Sequence, residues 1–222
     1  MRSYGGVVGM LVGLLASGLW AAPAAAIPVF EDDFDAETGS GQGASGQSRI
    51  NYDAFANWVV SDGTVDLIAH TDFGISCSGG AGKCIDLDGG SNDAGVLTST
   101  ALDLAAGTYE FSFQLSGTSS AFTQTAANNP NTVDVSIGSF FATSVTVDKG
   151  DPFASYGGSF TLLAPAIVSI VFANQGGDNF GAMLDDVKLE LVPEPGIAAL
   201  LALGLGGLAA RARGRTGAPL PG

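Results

Sequence analysis

The sequence predicts an all-β fold, an antiparallel β-sandwich of the jelly-roll kind, between two apolar ends. Apolar and polar residues alternate along residues 109–115, 133–137 and 168–172. This period of two is typical of half-buried antiparallel strands. Clusters rich in Gly and Asp, such as residues 61–63 and 175–178, separate the apolar segments as turns do. Many short strands at this spacing favour a sandwich or jelly roll, and 33 glycines disfavour long helices.

About ten short strands follow from this pattern. Besides the three alternating segments, the strand candidates are residues 29–34, 58–60, 64–69, 83–87, 95–102, 140–148, 156–163 and 183–191. Trp58 lies beside Val59 and Val60, so we interpret it as a core residue. Residues 27–192 are long enough for one domain with its own core. A signal helix before this domain and a short hydrophobic helix after it complete the predicted architecture.

Residues 1–26 have the pattern of a secretory signal peptide. Arg2 supplies the positive start, and residues 7–20 form an apolar run. Ala24 and Ala26 supply the small-residue cleavage signature, so we expect export through the Sec pathway and a mature chain that begins at Ile27. The alternative is an N-terminal membrane anchor, which the run disfavours because a span needs about 20 residues.

The C-terminus carries a three-part segment: a Pro-Glu-Pro motif, an apolar run over residues 197–210 and an arginine cluster. The motif and cluster residues are Pro193, Glu194, Pro195, Arg211, Arg213 and Arg215. A short apolar helix followed by arginines stops in a bacterial inner membrane with the arginines on the cytoplasmic side. The run is short for a permanent span and contains glycines, so we interpret it as a transient membrane handle. An ordinary tail anchor is the alternative.

This three-part order resembles the PEP-CTERM sorting signal, with residues 193–215 as the signal and residues 216–222 as a tail beyond it. The resemblance implies a Gram-negative bacterium with an exopolysaccharide locus. It also implies that an exosortase, a membrane protease, removes the segment and passes the protein to the cell surface or extracellular matrix. The tail beyond the arginines departs from the family pattern, in which the chain usually stops sooner.

The charge of the chain excludes one class of partner. The chain has 22 acidic and 8 basic side chains, a formal charge of −14 and a pI near 4.1. Nucleic-acid binding needs clustered Lys and Arg, so we expect no nucleic-acid partner. Removal of both ends takes away one acidic residue and four arginines, so residues 27–192 carry a formal charge of about −17. The positive mean hydropathy of +0.32 is concentrated in the two apolar runs.

Four sequence segments of the central domain resemble those of the galactose-binding-like jelly rolls, a fold that many carbohydrate-binding modules share. They are residues 86–89, 97–102, 107–113 and 184–189, the last of which is similar to the final strand of that fold. The resemblance spans most of residues 30–191 and implies the architecture more directly than a ligand. It also implies a structural calcium near the first and last strands.

Cys77 and Cys84 enclose a short loop rich in glycine. In an exported protein, two cysteines at this spacing are most simply a disulfide. The glycines would let the loop close without strain. A pair of unpaired thiols is the alternative, and a metal site is disfavoured because the chain has one His.

The sequence also offers a candidate calcium site. Asp185 has the same strand parity as Val187, so it points inward if that face is buried. A buried carboxylate must be paired or bind a cation, and basic partners are scarce. First and last strands commonly lie side by side in jelly rolls, so Glu31, Asp33 and Asp35 are the predicted partners of Asp185 around Ca²⁺. The alternative is that Asp185 caps a turn or accepts backbone N–H bonds.

A second acidic segment contains Asp86, Asp88, Asn92 and Asp93. It lacks the Gly and the distal Glu that an EF-hand loop requires. We interpret it as a turn crowded with Asx side chains.

Aromatic residues on loops and strand ends are the natural places for a glycan, because sugars stack on exposed rings. Tyr52, Phe122 and Tyr156 are the candidate glycan contacts, with burial in the core as the alternative. His70 is the only histidine, and no Ser or Cys stands in a nucleophile motif, so we expect no catalytic residues and no enzyme.

The sequence therefore predicts an exported surface or matrix protein with a structural or adhesive role, associated with the exopolysaccharide of a biofilm. A specific carbohydrate-binding module is the alternative. A secreted glycoside hydrolase is a third interpretation, because 21 acidic residues in the domain allow many carboxylate pairs.

Overall fold

Two antiparallel sheets face each other in the part of the chain that the structure describes. The computed structural model describes residues 25–39, 41–91, 93–117 and 131–193, together with Gly204, Leu205, Gly207 and Arg211. The strands, in chain order, are β1 (Ile27–Asp32), β2 (Trp58–Ser61), β3 (Asp66–Ala69), β4 (Lys83–Asp86), β5 (Val96–Ser99), β6 (Leu102–Leu104), β7 (Gly107–Gly117), β8 (Asn131–Ile137), β9 (Phe141–Val147), β10 (Ala154–Leu162), β11 (Ala166–Val168), β12 (Ile170–Gln175) and β13 (Ala182–Val192).

The first sheet has the order β10-β7-β13-β4-β3, and β1 pairs with the later half of β13, beyond β4. The second sheet has the order β2-β5-β12-β8-β9, and β6 and β11 form a separate pair. Alternate residues of β7, from Tyr109 to Leu115, are buried, and so are those of β8. The core lies between the two inner faces, where apolar side chains of both sheets form one cluster. The predicted all-β sandwich of the jelly-roll kind is confirmed.

The structure differs from the strand predictions mainly at one place, where two neighbouring strands are both interrupted. Residues 95–102, predicted as one strand, form β5 and β6, and the segment around Ser169 divides into β11 and β12. At the break, the Ile170 N–H donates to Ser99 Oγ (2.9 Å), and the Thr100 N–H donates to the carbonyl of Asn57 (2.8 Å). These bonds replace the regular ladder there, because a buried backbone N–H needs a partner.

Most residues of the predicted signals lie outside the described residues, namely the apolar run of residues 7–20, Ala24, Glu194, Pro195, Arg213 and Arg215. Ala26 directly precedes β1, Pro193 directly follows β13, and Arg211 has helical backbone. Ala24–Glu194 forms one compact unit. Among the described residues there is no helix of the length and apolarity that a membrane crossing requires.

The predicted disulfide between Cys77 and Cys84 is confirmed, with the two Cα atoms 5.4 Å apart. Both half-cystines are buried beside Ile68 and Met183 in a small second core. The loop between them turns through Gly79, Gly80 and Gly82, each of which has a positive φ between 66° and 75°. Glycine adopts these angles at no steric cost, which explains how so short a loop closes.

Candidate functional site

The four predicted calcium ligands do not converge on one point. Glu31 forms a salt bridge with Lys188 (3.5 Å) on the surface. The Asp33 carboxylate accepts the Asp35 N–H (3.1 Å), and the Asp35 carboxylate accepts the Lys83 N–H (2.6 Å). Within the described ranges, the one group of three or more Asp, Glu, His or Cys ligand atoms within 4.8 Å of one another is Asp185 with the two half-cystines, whose sulfurs are bonded to each other. The four predicted ligands therefore do not form one ion site in this structure. Calcium binding by the domain stays a prediction.

Asp185 points inward, as its parity predicts, and is 4% exposed. Its carboxylate accepts the N–H groups of Asp186 (2.8 Å) and Ser78 (3.0 Å). Burial raises the pKa of Asp185 to about 8, and the charges of Asp186 and Asp35 add to the rise. Asp35 and Asp185 thus lie near each other, at the point where the disulfide loop meets β13. Acceptance of backbone N–H bonds, the alternative interpretation from the sequence, describes the contacts that the structure shows.

Tyr52 is not available for stacking on a sugar, so its assignment as a glycan contact is wrong. Its side chain is 6% exposed and packs edge-on against Phe55, with ring centroids 4.5 Å apart. The hydroxyl donates to Glu37 Oε2 at 3.0 Å. A buried tyrosine needs such a partner, and Glu37 also accepts the Ala56 N–H (2.9 Å). Phe122 lies outside the described residues.

Tyr156 lies at a cleft of about 400 Å³ between β7, β9 and β10. Its half-buried ring stacks on Phe113, with centroids 6.1 Å apart. The remaining lining residues are Glu110, Phe111, Ser112, Thr143, Val145, Ser155, Gly157 and Gly158. Because side chains alternate along a strand, Tyr156 and Thr143 lie on the core-facing side, whereas Glu110, Ser112 and Ser155 lie on the outer side. The cleft therefore offers one half-buried aromatic ring with polar residues beside it, the combination that sugar ring faces and hydroxyls require.

Two glycines of β10 shape this cleft. Gly157 has a φ of 142°, and a Cβ there would lie 2.0 Å from the Phe111 carbonyl oxygen, so β10 passes too close to β7 for any side chain. A Cβ at Gly158 would lie 3.1 Å from the ring of Phe141. A side chain at residue 158, on the same strand face as Tyr156, would occupy the cleft, and the glycine leaves that space open.

A second, smaller pocket of about 180 Å³ contains two carboxyl groups that the sequence did not single out as a pair. Asp66 on β3 and Asp86 on β4 are register partners, and both are buried. The other lining residues are Ile50, Ile68, Phe73, Ile75, Gly90, Asn179 and Phe180. Like charges on directly opposite strand positions repel each other. The pairing of β3 with β4 creates this juxtaposition, and no local sequence signal marks it.

Burial sets the protonation of this pair. It raises the pKa of Asp66 to about 6, and the charge of Asp88 adds to the rise. Burial also raises the pKa of Asp86 well above its usual value, with the charges of Asp66 and Asp88 adding to the effect. Backbone N–H groups oppose these shifts: Asp66 Oδ1 accepts from Asn51 (2.7 Å), and Asp86 Oδ1 accepts from Gly181 (2.7 Å). Asp86 therefore holds its proton to a higher pH than an ordinary carboxyl group.

Comparison with known proteins gives distant structural matches only. Neither a family model nor a curated protein matches the chain. The N-terminal xylanase 10B of Clostridium thermocellum, solved as CBM22-1 and GH10 modules with xylohexaose, is 12% identical over 77% of this chain, with a TM-score of 0.45. This chain spans 29% of that xylanase chain.

Two smaller solved domains are similar over most of their own length. The C-terminal CBM6 of the laminarinase LamC from Zobellia galactanivorans is 9% identical over 60% of this chain and 99% of its own, with a TM-score of 0.37. The K1 adhesin domain of Lys-gingipain from Porphyromonas gingivalis is 15% identical over 65% of this chain and 96% of its own, with a TM-score of 0.41. Function therefore has to be inferred from the residues of this chain.

Proposed function

We propose that this protein is an exported surface or matrix protein of a Gram-negative bacterium, with a structural or adhesive role associated with the exopolysaccharide of a biofilm. The observation that carries the proposal is the C-terminal order of Pro-Glu-Pro, apolar run and arginine cluster. Two features support it: β13 ends at Val192, directly before this segment, and the domain contains a disulfide, as exported domains often do.

The segment after β13 would act as a temporary membrane anchor. After export through the Sec pathway, the apolar run would hold the folded domain at the inner membrane, with the arginines on the cytoplasmic side. An exosortase would then cut near Pro193 and release the domain to the cell surface or matrix. Because the last strand of the sandwich is complete at Val192, removal of the following residues leaves every described strand in place.

Replacement of Pro193-Glu194-Pro195 by three alanines is expected to abolish processing, because the protease would lose its recognition motif. The full chain, with one epitope in the domain and a second after Gly222, is expressed in a host that has an exosortase. Fractionation and immunoblotting then follow both epitopes. We expect the native chain to lose the second epitope and leave the inner membrane, whereas the variant keeps both epitopes in the membrane fraction.

The matched control for this experiment is deletion of residues 216–222 with the second epitope placed after Arg215, which keeps all three parts of the signal. It should be processed like the native chain. Retention of the second epitope by the native chain, equally in the host and in a strain without exosortase, would contradict the sorting proposal and favour a permanent tail anchor.

A specific carbohydrate-binding site is the second candidate function, and the cleft at Tyr156 favours it. The cleft has one half-buried aromatic ring, that of Tyr156, and Thr143 of β9 lies on the same core-facing side of its own strand. Neutral sugars suit this site because they need no positive partner. The domain carries a strong negative charge, so an acidic polysaccharide would require cations between the two.

Tyr156→Ala is expected to weaken binding of a neutral oligosaccharide on the order of tenfold, because the stacking surface is lost. The binding is measured by glycan array and then by calorimetry with the best ligand. Phe140→Ala is the matched control, since Phe140 is 43% exposed on another turn. Tyr156→Phe keeps the ring and the packing on Phe113, so it separates stacking from stability. Equal binding by the native chain and both Tyr156 variants would exclude the cleft.

We also propose that the protein is not an enzyme. Asp66 and Asp86 are register partners whose carboxyl groups line one of the described pockets. Their pocket, at about 180 Å³, is smaller than the roughly 300 Å³ at which ligand sites begin. One oxygen of each carboxyl group is also held by backbone N–H groups. Both features suit a structural role better than catalysis of glycoside hydrolysis.

A further inference from the structure

A buried polar cradle lies at the end of the sandwich where two connections cross between the sheets. One connection leads from β4 to β5 and carries Asp88, and the other leads from β12 to β13 and carries Asp178. Asn174 is the last residue but one of β12, just before the second connection. Asp88 is 0% exposed and Asn174 is 8% exposed.

Four buried atoms of this cradle have no hydrogen-bond partner among the residues that the structure describes. They are Asp88 Oδ1, Asp178 Oδ2 and both polar atoms of the Asn174 side chain. Nearly all buried polar atoms in native proteins are hydrogen-bonded, so a cluster of unpartnered ones points to a missing partner. Three of the four atoms are oxygens. A cation is therefore a suitable partner, because oxygens coordinate cations.

The second oxygen of each carboxylate is fixed by the backbone. Asp88 Oδ2 accepts the N–H groups of Gly177 (2.6 Å) and Asp178 (3.0 Å). Asp178 Oδ1 accepts the N–H of Phe180 at 3.0 Å. Both carboxylates are therefore held in place on one side, while the other oxygen of each has no hydrogen-bond partner in the described part of the chain. Such preorganised oxygens are what a cation site needs.

Gly176 allows these side chains to come together. A Cβ at this position would lie 2.2 Å from Asp88 Oδ2 and 2.7 Å from Asn174 Nδ2. The Asp88 carboxylate and the Asn174 amide thus occupy the space that a side chain at residue 176 would take. The amide can turn about its last bond and present its oxygen in place of its nitrogen.

The cradle is also short of positive charge. Within the described ranges, neither Asp88 nor Asp178 has a salt bridge to a Lys or Arg side chain. A buried carboxylate without a positive partner is costly unless it binds a cation or a proton. Asp88 is fully buried and Asp178 is half-buried, so a bound cation would compensate both charges while it contacts Asp88 Oδ1 and Asp178 Oδ2.

We propose that Asp88, Asn174 and Asp178 form a Ca²⁺ site that joins the β4–β5 connection to the β12–β13 connection. All three side chains offer oxygen, which Ca²⁺ prefers, whereas Zn²⁺ prefers nitrogen and sulfur. Ca²⁺ accepts irregular geometry and completes its shell with carbonyls and water, whereas Mg²⁺ demands a near-ideal octahedron. The ion would hold the two sheets together at this end of the sandwich.

The test measures calcium binding to the full chain in mild detergent, after EGTA treatment and dialysis. Calorimetry with CaCl₂ should show one site, and MgCl₂ should bind far more weakly. At free Ca²⁺ about a hundredfold above Kd, the Tm should rise by about 5 to 10 °C. Asp178→Asn keeps the acceptor for the Phe180 N–H and removes the charge, so affinity should fall on the order of tenfold.

Asn174→Asp distinguishes a site that binds Ca²⁺ from one that binds no cation, because its effect has the opposite sign in the two cases. If Ca²⁺ binds here, a third carboxylate strengthens binding. If no cation binds, a third buried carboxylate lowers the Tm, and CaCl₂ does not restore it. Asp103→Asn, an exposed substitution on β6, is the control for loss of one charge and should leave affinity unchanged.

Three results would overturn the proposal. The first is absence of calcium binding by the native chain, which would indicate that a buried water occupies the cradle instead. The second is binding that Asp178→Asn and Asn174→Asp do not alter. The third is binding that Asp185→Asn removes and Asp178→Asn does not, which would place the ion near β1 and β13.

Discussion

Phe172→Ala is expected to lower the free energy of unfolding by about 3 to 5 kcal/mol, the range for a fully buried phenylalanine. Phe172 on β12 is 0% exposed and connects the two sheets. Its ring lies edge-on to Phe113 of β7, with centroids 5.1 Å apart, and 5.9 Å from Trp58 of β2. Truncation removes all of these contacts and leaves a cavity that the rigid strands cannot close. Urea unfolding followed by tryptophan fluorescence measures the change.

Val59→Ala is the control for this substitution. Val59 is 60% exposed on β2, next to Trp58 in the chain, so its truncation should change stability by no more than about 0.5 kcal/mol. Phe172→Leu keeps most of the buried volume and should cost less than the alanine variant. Equal losses from Val59→Ala and Phe172→Ala would show that the two sheets do not pack through Phe172 as described.

The core around Phe172 could be predicted because strand periodicity alone decides which side chains face inward. Alternation placed Phe111 and Phe113 on one face of β7 and Phe172 on one face of β12, and the structure buries all three. Trp58 was predicted as core from its apolar neighbours and is 2% exposed. The same parity rule placed Asp185 inward. These predictions needed no knowledge of which strands are neighbours.

Partners that come from different strands could not be predicted in this way. Asp66 and Asp86 face each other because β3 pairs with β4, and Asp88 meets Asp178 across about 90 residues of chain. From the sequence, Asp86 and Asp88 were interpreted as part of a turn crowded with Asx side chains. That interpretation describes one contact correctly, since the Asp88 N–H donates to Asp86 Oδ1 at 3.1 Å. The Asp88 side chain itself turns to the other connection.

Tyr52 shows a second limit of inference from the sequence. Sugars stack on exposed rings of loops and strand ends, and so Tyr52 was predicted as a glycan contact. Its burial depends on Glu37, whose carboxylate accepts both the Tyr52 hydroxyl and the Ala56 N–H. An acidic side chain that is itself buried, at 8% exposure, is not expected from composition. Only the folded arrangement supplies this partner for the hydroxyl.

Buried carboxylates explain how so acidic a domain folds with few basic residues. Asp66, Asp86, Asp88 and Asp185 are all nine-tenths or more buried, and each accepts at least two backbone N–H bonds. Hydrogen bonds from backbone N–H groups take the place of salt bridges to Lys and Arg at these positions. They compensate the charge only in part, since the pKa of Asp66 and that of Asp185 are both raised by burial. The stability of the domain should therefore depend on pH in a way that single substitutions can reveal.

Asp66→Asn is expected to remove a loss of stability that the native chain shows between about pH 4 and pH 6. Burial raises the pKa of Asp66 from 3.8 to about 6, so the folded chain keeps this proton to a higher pH than the unfolded chain. The folded state binds more protons throughout that window, and stability therefore falls as pH rises through it. The shift corresponds to on the order of 2 to 3 kcal/mol, most of it lost by pH 6.

The amide side chain of the Asp66→Asn variant carries no charge, and its carbonyl oxygen can still accept the N–H groups of Asn51 and Gly90. The stability of this variant should consequently change less between pH 4 and pH 6 and exceed that of the native chain at pH 7. Chemical unfolding at each pH, with EGTA present so that no divalent ion contributes, measures both curves. Asp62→Asn is the control, since Asp62 is exposed and its positive φ of 51° suits asparagine equally. Parallel pH curves for the native chain and Asp66→Asn would show that Asp66 is ionised in the folded domain throughout this window, in spite of its burial beside Asp86 and Asp88.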